Sequence, residues 1–310
     1  MKKKKIRIST VLLLVLLFVL FCVVAWAGWK LYRYYADYSK DRDLYSDLRD
    51  EVIKSEEKEN EAEETTKDYL ETEEYLDNGT KKYRKRKKRI SKSAPISVDW
   101  DELKKINEDI IGWVYFTGLP QISYPVLQAD DNEYYVHRTY DLSSDTSKAG
   151  CIFMDYRMAD DFSSPYSIIY GHNVRDGSML SDLARLKDQT LYDEEPYFWI
   201  LTPDKNYRYE IISAYTTGVN SDTYTLFKGP GEEFEEYLQK IKSYSDIKTE
   251  DTELTIKDKI VTLSTCTGNE STRFVVQGKR VNAEDDGRGE NTGSADSDAA
   301  SVDSVTVQEG

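Results

Sequence analysis

Two apolar, β-branched runs meet at a short turn late in the chain, and no other feature restricts its fold as strongly. Thr262-Leu263-Ser264-Thr265-Cys266 closes the first run, and Arg273-Phe274-Val275-Val276 opens the second. Gly268-Asn269-Glu270 between them supplies turn chemistry, so the two runs read as adjacent strands. A thiol then ends one strand where a permanent cation begins the next, and the two can meet across the pair.

A cysteine attacks only as thiolate, so a catalytic thiol needs a proton acceptor nearby and donors for the oxyanion that forms after attack. Histidine is the usual acceptor, and the chain has two, His137 and His172. His172 ends the strand-like run Ser167-Ile168-Ile169-Tyr170-Gly171-His172, so Cys266, His172 and Arg273 all fall at strand ends, as an active-site rim requires. His137 follows the loop-like Asp130-Asp131-Asn132 and reads as a structural or supporting group. Cys151 opens the apolar Cys151-Ile152-Phe153-Met154 and reads as a core thiol. A Cys151–Cys266 disulfide is the disfavoured alternative, because it would extinguish the nucleophile. Two histidines and three scattered cysteines lack zinc-ligand spacing, and neither a dinucleotide fingerprint nor a P-loop occurs, so no metal and no cofactor is expected.

With these residues in hand the chain resembles the sortases, and within them class B. The resemblance is carried by T-L-S-T-C at Thr262 to Cys266, by R-F-V-V from Arg273, and by I-I-Y-G-H-N from Ile168 to Asn173 with Asp176-Gly177-Ser178-Met179 behind it. Tyr124-Pro125-Val126-Leu127-Gln128 with Asp131-Asn132, and Gly150-Cys151-Ile152-Phe153-Met154-Asp155, extend it in family order over Trp100 to Val281. It implies a mainly β (α+β) fold: an eight-stranded barrel with an N-terminal helix and a helix before the cysteine strand. It implies a metal-independent cysteine transpeptidase of a Gram-positive cell surface, in which Cys266 attacks the threonyl carbonyl of a C-terminal sorting signal. His172 would serve as general acid and base, Arg273 would hold the oxyanion, and Asn132, Tyr170 and Ser264 would line the substrate groove. Its partners would be surface proteins bearing the signal and an amine of peptidoglycan or its lipid-linked precursor. The chain departs from many class B members in its shorter loop between Cys266 and Arg273. Two alternative readings are a pilin-polymerising sortase, resolved by a lysine of another protein, and a catalytically silent membrane-tethered binding module.

The remaining segments differ in composition. Lys2-Lys3-Lys4-Lys5 precedes an apolar stretch from Val11 to Trp29. About 20 apolar residues at about 1.5 Å each span a hydrocarbon core of about 30 Å. The positive-inside rule then keeps the N-terminus cytoplasmic and everything after Trp29 outside the cell, as a single-pass membrane protein. The rival reading is a cleaved signal peptide, since Ala25-Trp26-Ala27 has the form of a processing site. Cys22 is filler within the span. From Asp41 to Glu74 the chain is Glu-, Asp- and Lys-rich with scattered Tyr and Leu, which reads as a solvated helix or extended stalk. The basic run Lys81 to Arg89 reads as a linker facing that acidic stretch, with anionic lipid or wall polymer as the other possible contact; an extracellular location excludes nucleic acid. The acidic segment 283–310 is disordered by composition and carries no L-P-x-T-G-like signal, so the chain is not expected to be a sortase substrate itself.

This gives a basic tip and anchor over 1–29, a charged linker over 30–96, a catalytic domain over 97–282 and a tail over 283–310. Within the domain, Asp99 before Trp100 caps a first helix. Strands are expected at 112–116, 122–127, 151–154, 167–170, 198–202, 207–217, 260–266 and 273–281, with helices near 179–186 and 232–243. Spacing alone leaves all-β and α+β open. Many short strands with turn signals suggest closure into a barrel.

Overall fold

A computed structural model describes residues 8–55, 68–77, 80–89, 94–227, 229–249 and 252–281; the basic tip before residue 8 and the acidic tail lie outside them. The chain opens with one continuous helix, α1 (Ile8–Val52). Its first half exposes large apolar side chains all round, from Leu12 to Trp29. Among the described residues it is the one helix long and apolar enough to cross a membrane, by length and composition. Its second half is helical, one of the two forms that composition suggests, but it is not solvated all round. Asp41, Tyr45, Leu48 and Val52 fall on one face at helical spacing, and all four are buried against the barrel. The scattered apolar residues of a highly charged segment are thus its docking stripe.

After α1 come β1 (Ile53–Ser55), then β2 (Asp68–Asp77) and β3 (Thr80–Arg89), which pair antiparallel with each other. Their register sets Glu71 opposite Arg86 and Glu73 opposite Arg84, so the basic run lies beside the acidic one. β4 (Ile96–Val98) pairs with β1 and leads into α2 (Trp100–Ile106). The Asp99 side chain caps α2 by accepting from the Glu102 amide at 3.2 Å.

The barrel strands are β5 (Ile110–Tyr115), β6 (Ser123–Leu127), β7 (Ile152–Met154) and β8 (Tyr166–Gly171), then β9 (Tyr197–Leu201), β10 (Asn206–Gly218), β11 (Ile260–Cys266) and β12 (Thr272–Arg280). They close in the order β10-β12-β11-β8-β7-β6-β5-β9, with β11–β8 and β6–β7 parallel and the other pairs antiparallel. All eight coincide with the expected strands to within two residues at each end. The helix expected near 179–186 is instead a 3₁₀ segment, Ser181–Lys187, followed by the short α3 (Gln189–Glu194). α4 (Glu232–Ile241) forms where a helix was expected before the cysteine strand.

The barrel is buried on two sides, and this decides which strands alternate. Phe116, Phe198 and Tyr209 form one buried stack, with Phe116 on Phe198 at 4.9 Å and Phe198 on Tyr209 at 5.2 Å, while Trp113 is buried on the opposite face of β5 and donates to Ser123 Oγ at 3.0 Å. β6 is buried at every position, and α1 packs against it where Tyr45 meets Tyr124 edge-on at 5.4 Å. α4 covers the outer face of β8 and β11: its Phe234, Tyr237, Leu238 and Ile241 pack on Tyr166, Ile168 and Ile260. Glu232, Glu233 and Glu235 sit in its first turn, where the helix dipole favours negative charge.

Candidate active site

β8, β11 and β12 bring the sequence candidates to one rim of the barrel. The β11–β12 register places Cys266 directly opposite Arg273. The intervening turn is tight because Gly268 adopts φ of 86°, a left-handed conformation that glycine takes without strain. β8 runs parallel to β11 with Gly171 level with Thr265, so His172 emerges beside Cys266. Asn173 ties the two strand ends together by donating from Nδ2 to the Cys266 carbonyl at 2.7 Å.

A cleft of about 400 Å³ opens over this rim, and Cys266, His172, Arg273, Asn132, Tyr170 and Ser264 all line it. That size suits a small ligand or a few residues of peptide. Ser264 is buried and shares a 2.8 Å hydrogen bond with the hydroxyl of Tyr224. Tyr224, Glu133, Phe153 and Val219 line the cleft as well. Phe153 comes from β7 within the motif that carried the resemblance, while Tyr224, Glu133 and Val219 lie outside the barrel strands and no sequence signal marked them.

His172 is held by its Nε2, 2.8 Å from the carbonyl oxygen of Val136. A carbonyl only accepts, so in the neutral ring Nε2 carries the proton and Nδ1 keeps its lone pair. Burial pushes the imidazole below its ordinary value, the Val136 carbonyl opposes that, and the charges of His137 and Arg273 add to the lowering. The resting ring is therefore neutral and free to take up a proton. His137 stands outside the cleft lining, with its ring stacked on that of His172 at 5.9 Å.

Arg273 donates from one terminal nitrogen to the carbonyls of Glu270 at 2.9 Å and Thr272 at 2.8 Å. These bonds fix the guanidinium over the turn and leave its other N–H groups for a ligand. Cys151, by contrast, is completely buried. It donates to the Arg138 carbonyl at 3.1 Å, and burial pushes its thiol up to about 12. Cys266 and Cys151 are both free thiols, and only Cys266 reaches the cleft.

Beneath the groove wall lies a buried carboxylate that the sequence did not single out. Asp155 is fully buried and accepts from Asn132 Nδ2 at 2.9 Å and Tyr170 Oη at 3.1 Å. Arg157 closes on it with a two-pronged contact at 2.8 and 2.7 Å. The signal was present as an acid at the end of an apolar run with an arginine two residues later.

No protein-family model matches the chain. It is 40% identical over 185 residues to sortase B of Listeria monocytogenes, covering 58% of this chain and 73% of that protein. It is 33% identical over 181 residues to sortase B of Staphylococcus aureus, covering 57% and 72%. Among solved structures, sortase B from B. anthracis superimposes with a TM-score of 0.58 at 29% identity, covering 80% of this chain and 99% of that one. The S. aureus sortase B–substrate complex does so with a TM-score of 0.53 at 30% identity, over 58% and 83%. A sortase B complexed with triglycine gives 0.53 at 30%, over 59% and 85%.

A closed, mixed eight-stranded barrel with helices packed on it is the fold of the sortase B structures that the chain matches. The chain belongs to the class B sortase family, and it is a sortase transpeptidase.

Proposed function

We propose that Cys266 is the nucleophile of this transpeptidase and that it acts on C-terminal sorting signals of surface proteins outside the membrane. His172 takes the Cys266 proton, and the thiolate attacks the threonyl carbonyl carbon. The resulting oxyanion is held by Arg273. The carbon–nitrogen bond then breaks, the departing amine receives the proton from His172, and a thioester remains on Cys266. In the second half an amine of peptidoglycan or its lipid-linked precursor attacks the thioester carbonyl and gives a proton to His172. The thiolate leaves and is reprotonated. Asn132, Tyr170 and Ser264 orient the peptide.

The observation that carries this reading is the convergence of all six residues on one cleft, with Cys266 opposite Arg273 and His172 one position past the end of their parallel neighbour. The substrate-bound and triglycine-bound relatives support a peptide substrate and an amine acceptor. The apolar half of α1 supports a single-pass anchor with the N-terminus cytoplasmic. The docked half argues that the catalytic unit begins near Asp41, ahead of residue 97.

Single-turnover acylation by peptides from a sorting-signal library tests the assignment. His172→Ala is expected to lose both half-reactions, by about 10² to 10⁴ from acid–base catalysis alone, while His137→Ala loses far less. An active His172→Ala beside a dead His137→Ala overturns the site.

A further inference from the structure

The docked face of α1 reaches the wall that holds His172 through a continuous set of polar contacts. Asp41 is buried, and its Oδ2 accepts from Ser147 Oγ at 2.8 Å, Lys148 N at 3.0 Å and Ala149 N at 3.2 Å. Ser147 Oγ in turn accepts from the amide of Gly150 at 2.9 Å. One helical turn after Asp41, Tyr45 donates its hydroxyl to the Gly150 carbonyl at 2.7 Å. Both ends of Gly150 are thus fixed from α1.

Gly150 adopts φ of 56°, and a Cβ there would lie 2.2 Å from the Val136 carbonyl oxygen and 3.0 Å from His172 Cδ2. The glycine backbone therefore abuts the same carbonyl that accepts from His172 Nε2, and it abuts the ring itself. The segment is braced further where Cys151 N donates to Tyr135 O at 3.0 Å and Ser147 N to His137 O at 2.8 Å.

We propose that Asp41 and Tyr45 are positioning residues for His172, acting through Gly150 and Val136, so that the helix leading out of the membrane is part of the catalytic apparatus. This rests on His172 being the acid–base group. A charged or hydroxyl side chain is otherwise a poor choice for a buried docking stripe, where an apolar residue would bind the barrel without a desolvation cost. Here each polar group is matched to a backbone group of one loop, and that loop is the backing of His172.

The test uses the full chain in detergent micelles, with histidine isotopically labelled at Cε1. Only two imidazoles are present, and His137→Gln assigns them. Asp41→Asn and Tyr45→Phe are compared with Leu48→Ala, which weakens the same docking face without touching the polar contacts. The titratable groups lining the cleft with His172 are Glu133, Tyr170, Tyr224, Cys266 and Arg273, with His137 stacked outside, and none is altered in these three variants. Loosening the wall admits water and weakens the Val136 contact. Desolvation is the larger influence on His172, so its titration midpoint moves up toward the ordinary value in Asp41→Asn and Tyr45→Phe. Leu48→Ala lowers the melting temperature and leaves that midpoint in place. Wild-type His172 titration in both polar variants overturns the proposal, and so does an equal shift in Leu48→Ala. If Asp41→Asn fails to fold, Tyr45→Phe, which removes one hydroxyl, carries the test alone. An active His172→Ala would instead sink the acid–base reading and leave the spectroscopic result standing.

Discussion

Replacing Asp155 by alanine removes the acceptor that three side chains share beneath the groove wall. The effect can be worked out donor by donor. Arg157 keeps 43% of its side chain exposed, so its guanidinium turns to water and the lost pair costs no more than about 1 kcal/mol. Asn132 Nδ2 and Tyr170 Oη are partly buried and lose their acceptor, at about 1–3 kcal/mol each. The sum is about 2–7 kcal/mol, which at about 2–4 °C per kcal/mol lowers the melting temperature of a domain this size by roughly 4–28 °C. Urea denaturation of Asp155→Ala against the parent, with peptide kinetics alongside, measures both consequences. KM should rise more than kcat falls if Asn132 and Tyr170, which line the cleft, orient the peptide as proposed. Acid sharpens the comparison. Burial alone would raise the Asp155 carboxyl, but Arg157 and the Asn132 amide outweigh it and hold the group below the ordinary carboxylate range. A depressed folded value stabilises above the unfolded value of about 3.9 and loses that stabilisation as pH falls through the folded one. The difference between parent and variant is therefore constant near neutrality and shrinks only in acid. Parental stability in Asp155→Ala at neutral pH would refute the reasoning, and a destabilised variant with unchanged KM would remove the groove-wall role.

Gly150→Ala forces a side chain into the left-handed region and onto the Val136 carbonyl, so it should cost at least about 1–2 kcal/mol and reduce acylation more than a comparable core substitution does; thermal melts and single-turnover rates report both. Arg273→Lys keeps the charge but loses the planar donors, and turnover should fall by about 10² to 10³ if the guanidinium holds the oxyanion. A normal acylation rate in that variant removes the role.

The sequence announced the barrel and its rim because the information there is local. β11 and β12 are β-branched runs around a glycine turn, and the thiol, imidazole and guanidinium sit at run ends that one-dimensional reading can find. Legibility failed where the partner lies far along the chain. The second half of α1 shows only charge and a few aromatics until the barrel supplies a surface for Tyr45, Leu48 and Val52, so it read as a solvated helix or stalk. Ser181–Lys187 carries helical spacing, yet it winds as a 3₁₀ segment. Tyr224, at the end of a 3₁₀ turn, and Glu133, between β6 and β7, enter the cleft from outside the barrel strands, and their chemistry has no sequence neighbourhood to reveal it. Asp155 lay inside a quoted motif, but its importance appears only when Asn132 and Tyr170 fold onto it.

The central claim, that Cys266 is the nucleophile and Cys151 a core thiol, is tested most directly by intact mass of the full chain after brief exposure to a sorting-signal peptide. One acyl adduct should form on the parent and map to Cys266, form equally on Cys151→Ser, and be absent from Cys266→Ala while that variant melts as the parent does. An adduct that survives in Cys266→Ala, or disappears in a folded Cys151→Ser, contradicts the account.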